Sequence, residues 1–278
     1  MKNAKSIRAK LYNLAKQEQI DFQTILTRYF HESVLSRVSH SQWKDHFFLK
    51  GGVLMYAMQG LHSRPTTDID FLGKNTPNDK DSLLSIFTEI LQVNTDDAVV
   101  FDTHLIKAKI INERNTYNGI RINVTANLDT IKQSLQVDIG FGDTIIPNPV
   151  QIEFPILLHE TTSPVLWAYT PETVIAEKLQ AIIVLAQLNS RMKDFYDIYT
   201  LITTQIIDVR TLNEAITQTF KQRNTTINFD SIVFAEDFYK DAKRIEMWNT
   251  FLNKIDIPTI KFETVIKTIQ NKLKEIKL

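Results

Sequence analysis

The glycines of this chain are confined to its middle. All seven lie between Gly51 and Gly142, and none precedes Gly51 or follows Gly142 in the 278 residues. Glycine is the residue used where the backbone takes a positive φ or approaches a ligand closely. We therefore expect the tight turns and any ligand site in this middle segment, with helices on both sides of it.

Apolar residues recur at helical spacing on both flanks. The pattern predicts two helices within residues 4–37 and a further set of helices beyond residue 160. One of these begins at Thr170-Pro171, where a capping threonine precedes proline at the first helical position. Another is expected to open at Ser190.

The middle of the chain has a different pattern. A short apolar strand at 47–49 leads into Gly51-Gly52, a helix and then a strand over 66–72. An apolar period of two predicts three further strands, at 103–111, 120–126 and 134–141. Asn118-Gly119 predicts a hairpin turn between the first two of these.

Composition excludes several classes of protein. Lys and Arg number 32 and Asp and Glu number 32, so the whole molecule is not a general polyanion binder. The absence of cysteine excludes disulfides, thiolate metal sites and thiol nucleophiles. The amino terminus has no signal-peptide core and no apolar stretch approaches a membrane span. We expect a cytoplasmic protein with no membrane partner.

Three aspartates form the most informative pattern. Asp68 and Asp70 alternate along one strand, so both carboxylates lie on the same face. Asp138 is an isolated acid in the otherwise apolar strand 135–140. If the two strands are neighbours, three carboxylates converge, which suits Mg²⁺ and provides enough ligands for a two-metal site.

The glycine pair complements these acids. At a strand-to-helix turn, the amides of Gly51 and Gly52 and the following helix N-terminus can hold phosphate oxygens. Alone, an Asp-x-Asp pair is more often a solvated strand face, and a Gly-Gly pair is usually a turn. Their combination at this spacing, with a third strand acid, favours a functional site.

These residues carry a resemblance to a known family. Leu49-Lys50-Gly51-Gly52 followed by Thr67-Asp68-Ile69-Asp70-Phe71 resembles the signature of the DNA polymerase β-like nucleotidyltransferase superfamily. More narrowly, the chain resembles the AbiEii/AbiGii toxins of type IV toxin–antitoxin systems, to which the mycobacterial MenT toxins are related. Three later segments resemble further motifs of that family: 176–179, 191–198 and 220–225.

The resemblance implies roles for Lys178 and Asp194, and two arginines are further candidates. It makes Lys178 a phosphate contact, although a lysine on an apolar helix face commonly extends its ammonium outward. It places Asp194 in the active site, as a base or as a positioner of Lys178, although an acid there also complements the helix dipole. Arg191 would pair with Asp194 or with phosphate. Arg64 is a candidate for the triphosphate, the alternative being a solvated loop arginine.

The fold class expected is α+β. A polymerase β-like nucleotidyltransferase domain with a mixed sheet would occupy residues 1–160, and a helical C-terminal domain over 161–278 would close the active-site cleft. The reaction implied is Mg²⁺-dependent transfer of a nucleoside monophosphate from an NTP to an acceptor hydroxyl, releasing pyrophosphate. By resemblance the acceptor is RNA, with the tRNA 3′ end as leading candidate, and a cognate antitoxin protein is a partner.

Two other functions stay open at this point. The same scaffold could transfer a nucleotide to a small molecule or a protein. Alternatively, the chain could be a noncatalytic relative that only binds a nucleotide or a partner, although the intact set of acids argues against this.

Overall fold

The computed structural model describes residues 3–111, 119–159, 162–228 and 230–276. The chain divides into two compact units. The first consists of Met1–Gly142 with Val150–Ala168, and the second of Asp143–Pro149 with Tyr169–Leu278.

The first unit is built on a mixed sheet. Its eight strands, counted over the described residues, are β1 (Phe47–Lys50), β2 (Asp68–Gly73), β3 (Val100–Phe101), β4 (Lys107–Ile111), β5 (Gly119–Leu128), β6 (Ile131–Gly140), β7 (Val150–Glu153) and β8 (Val165–Ala168). They follow the order β3-β5-β6-β2-β1-β8-β7, and β4 also pairs with β5. At the centre, β2 runs parallel to β6 and antiparallel to β1, so the predicted mixed sheet is confirmed.

Side chains alternate cleanly between the two faces of this sheet. On the apolar face, Ile122, Val137 and Ile69 are fully buried. The other face carries polar side chains, among them the candidate acids. Because paired residues of neighbouring strands share a face, the buried apolar set fixes which residues face the opposite side.

Four helices accompany the sheet in the described part of the first unit: α1 (Ala4–Gln17), α2 (Phe22–His40), α3 (Gly51–Gln59) and α4 (Lys80–Gln92). Helix α3 starts directly at the end of β1 and ends at Gly60, as the sequence predicts. Helix α2 is buried along most of its length.

The second unit is helical. Its described helices are α5 (Pro171–Leu185), α6 (Met192–Thr204), α7 (Val209–Gln222), α8 (Glu236–Tyr239), α9 (Ala242–Lys254) and α10 (Phe262–Lys274). Thr170 caps α5 through the amide of Thr173, with Pro171 in the first turn, as predicted. Trp248 and Phe195 pack against Phe262 at ring-centroid distances of 5.2 and 5.3 Å, and all three side chains are buried.

Some local predictions are wrong. Thr103–Leu105 forms a 3-10 turn instead of the start of a strand. Helix α6 starts at Met192 with Arg191 as its N-cap, so Ser190 lies one residue before the cap. The predicted hairpin between β4 and β5 is paired antiparallel, and Asn118 of its turn lies outside the described residues.

None of the helices among the described residues is long and apolar enough to span a membrane.

Candidate active site

The three candidate acids meet at the centre of the sheet. Asp70 on β2 lies directly opposite Asp138 on the parallel strand β6, and Asp68 lies two residues earlier on β2. Each of the three residues offers a carboxylate oxygen, and these oxygens lie within 4.8 Å of one another. The strand neighbourhood on which the sequence prediction depended is therefore present.

Arg121 is a member of this cluster that sequence reasoning missed. It lies opposite Asp138 on β5, and its Nε and Nη2 each donate to a different Asp138 oxygen at 2.6 Å. The hydrogen bonds to Asp138 raise the pKa of Arg121, and the charges of Asp68 and Asp70 raise it further, against the lowering effect of burial. A fork of two bonds fixes both the position and the plane of the carboxylate.

A register count could have found Arg121. The strands β5 and β6 are joined by only two residues, Asp129 and Thr130, because Leu128 pairs with Ile131. Counting outward from a two-residue turn places Arg121 opposite Asp138.

Thr66 is a second contact that the sequence analysis did not single out. Its Oγ1 donates to Oδ1 of Asp68 at 2.6 Å. The hydroxyl occupies one oxygen of Asp68 and restricts rotation of that carboxylate. Thr66 also lies against Gly52, where an added Cβ would be 2.6 Å from its hydroxyl oxygen.

The glycine pair forms the predicted turn from β1 into α3. Gly51 has a φ of 69°, and a Cβ built on it would lie 1.9 Å from Oδ2 of Asp70. Any side chain at this position would displace the Asp70 carboxylate. Gly51 is therefore required by the neighbouring acid as well as by the backbone conformation.

A row of charged residues crosses five adjacent strands at this level. Direct pairing aligns Lys50, Asp70, Asp138, Arg121 and Lys109, from β1 to β4. Paired residues share a face, so the two acids lie between a lysine on one side and two basic residues on the other.

A second cluster of carboxylates lies in the helical unit. The Nζ of Lys178 on α5 is 2.9 Å from Asp194 Oδ1 and 2.7 Å from Asp197 Oδ2. Both aspartate side chains on α6 are completely buried. The ammonium of Lys178 therefore points inward between two carboxylates and is not extended outward along the helix.

Arg191 completes this cluster. Its Nε is 2.7 Å from the second oxygen of Asp194, and its side chain is 48% exposed. Of the two pairings expected for Arg191, the structure contains the one with Asp194. Asp194 is thus held from both sides, by Lys178 and by Arg191.

The segment 220–225 places another arginine in a buried network of the helical unit. Arg223 Nη2 is 2.9 Å from Asp143 and 3.3 Å from Glu177, and its Nη1 donates to Gln180 at 3.1 Å. Burial lowers the pKa of Arg223, but Glu177 and Asp143 outweigh it and raise the pKa overall. The network joins the segment Asp143–Pro149 to α5 and α7.

Arg64 is buried and only 7% exposed, so it is not a solvated loop arginine. It lines a cavity in the first unit together with Arg28 and His31.

The donor set of the acid cluster suits a hard divalent cation. Opposite ligands of Mg²⁺ lie about 4.2 Å apart, at roughly 2.1 Å from the ion on each side. The three carboxylates offer oxygens at spacings of this order, within 4.8 Å. The cluster can therefore hold a divalent metal.

The fold has the architecture of a nucleotidyltransferase. A candidate nucleotidyltransferase from Helicobacter pylori matches 93% of this chain over 100% of its own length, with a TM-score of 0.50 and 16% identity. Another Helicobacter pylori protein, JHP933, matches 91% of this chain over 94% of its own, with a TM-score of 0.48 and 16% identity. No match was found among curated proteins.

The family follows from the sequence match. The model of the nucleotidyl transferase AbiEii toxins of type IV toxin–antitoxin systems matches residues 33–268. The chain belongs to this family and is a nucleotidyltransferase.

Proposed function

We propose that this protein uses Mg²⁺ to transfer a nucleoside monophosphate from an NTP to a hydroxyl of RNA, with the tRNA 3′ end as the leading acceptor. The observation that carries the proposal is the convergence of Asp68, Asp70 and Asp138 beside the Gly51 turn. Such carboxylate clusters serve phosphoryl and nucleotidyl transfer through bound metal ions.

Asp68, Asp70 and Asp138 would hold the metal. Bound Mg²⁺ would neutralise triphosphate charge and favour deprotonation of the attacking hydroxyl. The protein's own contribution is to fix the carboxylates in advance: Thr66 orients Asp68, and Arg121 orients Asp138. Preorganised charge of this kind accounts for much of the catalysis in enzymes generally.

The turn at Gly51-Gly52 would bind phosphate oxygens of the NTP. It lies at the N-terminus of α3, whose first amides have no partners within the helix. The positive end of the helix dipole favours an anion there. Because Gly51 allows Asp70 to approach this turn closely, the phosphate and the metal ligands would lie side by side.

Lys178, Asp194 and Arg191 are proposed as further site residues. The support is that the family match includes them and that two buried carboxylates fix the position of the Lys178 ammonium. Lys178 would contact nucleotide phosphate, and Asp194 would position it. The half-exposed guanidinium of Arg191 would contribute to phosphate binding, as would Arg64 in the first unit.

The toxin family supports the choice of a cellular target whose modification stops growth. Addition of nucleotides to the tRNA 3′ end would block aminoacylation. A cognate antitoxin would then relieve the arrest.

The test is incubation of the protein with all four NTPs, Mg²⁺ and total RNA, followed by sequencing of the RNA 3′ ends. We expect added nucleotides at tRNA 3′ ends with the wild type and none with Asp70→Asn. Labelled NTPs in a parallel reaction detect other acceptors. Label recovered only in protein or small molecules would replace the RNA proposal with one of the alternatives.

A further inference from the structure

A cavity of about 150 Å³ lies in the first unit, next to the strand that carries Asp68. Its walls come from α2, α3 and the segment before β2, including Thr66 and Thr67. Gly51 and Gly52 are not among its lining residues, but Thr66, which lies against Gly52, is. This volume exceeds the roughly 10–15 Å³ that one enclosed water molecule requires, so the cavity has room for a polar group of several atoms.

The first argument for a ligand here is a buried guanidinium. Arg28 is 7% exposed and donates to the carbonyls of Leu61 and Ser63, the latter at 2.8 Å, while it stacks on the ring of Tyr56. Within the described part of the chain, no carboxylate forms an ion pair with Arg28, and burial lowers its pKa. A buried charge is costly without a counterion, and a guanidinium has five N–H groups, more than these carbonyls use.

The second argument is a buried acceptor. His31 is 2% exposed and lines the same cavity, and its Nε2 has no hydrogen-bond partner among the described residues. Burial lowers the pKa of His31 to about 4, against a hydrogen bond to the backbone of Thr67. With one ring nitrogen bonded to the backbone of Thr67, Nε2 is left to accept a hydrogen bond from a hydroxyl.

A nucleotide offers a partner for each of these groups: a phosphate for the Arg28 guanidinium and a sugar hydroxyl for His31 Nε2. We propose that this cavity binds the phosphate group of a nucleotide together with the nearest sugar hydroxyl. Arg28, with Arg64 beside it, binds the phosphate oxygens, and His31 Nε2 accepts from the sugar. The inference rests on the proposed function for the source of the nucleotide, which is either the NTP or the acceptor RNA.

The chemistry is tested with small probes and without metal. The full-length protein is titrated in EDTA with inorganic phosphate and with ribose 5-phosphate, by calorimetry. We expect ribose 5-phosphate to bind more tightly than phosphate. Arg28→Lys should lower the affinity for both ligands by about tenfold or more, because a lysine ammonium cannot donate the two parallel hydrogen bonds of a guanidinium. Arg8→Gln, at an arginine paired with Asp129 in the same unit, is the matched control and keeps wild-type affinity.

His31 is tested by a pair of variants. Asn keeps a donor near the Nδ1 position but has no counterpart of Nε2, whereas Gln places a polar atom near Nε2. We expect His31→Asn to reduce binding of ribose 5-phosphate to the level of phosphate, and His31→Gln to retain part of the difference. This pair carries the test even if Arg28→Lys does not fold.

The source of the nucleotide is assigned by repeating the titrations with ATP and with an RNA oligonucleotide. Loss of ATP affinity in the variants assigns the cavity to the donor, and loss of RNA affinity alone assigns it to the acceptor. Absence of phosphate binding by the wild type, or equal affinities for wild type, Arg28→Lys and His31→Asn, overturns the proposal. If the variants extend RNA 3′ ends as fast as the wild type, the proposed function is supported and the cavity proposal is not. If the wild type binds phosphate but extends no RNA, the cavity proposal is supported and the proposed function is not.

Discussion

The molecule contains two clusters of carboxylates that differ in what they face. On the sheet, Asp68 and Asp70 are partly exposed and converge with the buried Asp138 on one face. In the helical unit, Asp194 and Asp197 are completely buried and contact Lys178 directly.

This difference separates acids gathered on a sheet face, where Arg121 pairs with Asp138 alone of the three in the contacts described above, from buried acids that are held directly by Lys178 and Arg191. Carboxylates gathered at a surface repel one another and gain from a cation. Buried carboxylates are tolerated because cations of the chain are already in place, and removing such a partner leaves an unpaired buried charge. The sheet cluster should thus control chemistry more than stability, whereas loss of Lys178 from the helical cluster should lower stability in addition to any loss of phosphate binding.

The strongest contrast is expected from Asp70→Asn. The change removes a proposed metal ligand and should lower nucleotidyl transfer by roughly 10²–10³-fold. Stability should stay equal or rise, because repulsion among the acids is reduced. The measurements are RNA labelling with radioactive NTP and urea unfolding; a large loss of stability would mean that the sheet cluster is structural.

The opposite result is expected from Lys178→Met. Two buried carboxylates lose their ammonium, which should cost about 3–5 kcal/mol of unfolding free energy. Urea unfolding measures this, and the triple change Lys178→Met with Asp194→Asn and Asp197→Asn should recover much of the loss. A stable Lys178→Met variant would contradict the view that this cluster is neutralised by its own cations.

Gly51→Ala should separate backbone strain from displacement of an acid. Its control is Gly60→Ala, since Gly60 also has a positive φ, of 76°, but has nothing within 4 Å of an added Cβ. Each change should cost about 1–3 kcal/mol of stability. Only Gly51→Ala should also reduce the rate at saturating NTP, by about tenfold or more, because its Cβ displaces Asp70. Equal activities of the two variants would remove Gly51 from the site.

The smallest effect concerns Arg121. In Arg121→Met, the guanidinium no longer competes with a cation for Asp138, so Mn²⁺ binding without nucleotide should tighten by about tenfold, or ~1.4 kcal/mol. Transfer should slow, because the carboxylate is no longer held in one plane. Mn²⁺ affinity is measured by electron paramagnetic resonance, with Arg8→Met as control. Unchanged Mn²⁺ affinity would show that Arg121 does not act on the metal site.

Local patterns were enough to predict part of this arrangement. The shared face of Asp68 and Asp70 follows from the period of a strand, and the turn at Gly51 follows from glycine between a strand and a helix. The cap at Thr170 is equally local. Each of these depends on neighbours a few residues apart in the chain.

The contacts that orient the acids depend on tertiary pairing. Arg121 is 17 residues from Asp138 in the chain, and only the β5–β6 register brings them together. The alternation of β5 alone does not distinguish it from a solvent-facing residue; the two-residue turn at Asp129 and Thr130 must also be recognised. The joining of Arg28 to the segment 61–64 has no local signal at all, because helix α2 and that segment meet only when the unit has folded.

The charged row across the sheet has a consequence for how a substrate arrives. Five strands at about 4.8 Å spacing place Lys50, Asp70, Asp138, Arg121 and Lys109 along a line of roughly 19 Å. A polyanion approaching this line meets positive charge on both sides of the acids, so its encounter is guided toward the centre. Dissolved ions screen this attraction beyond about 8 Å at physiological salt, so the rate of substrate association should fall as ionic strength rises. The rate of nucleotidyl transfer within the bound complex should stay the same.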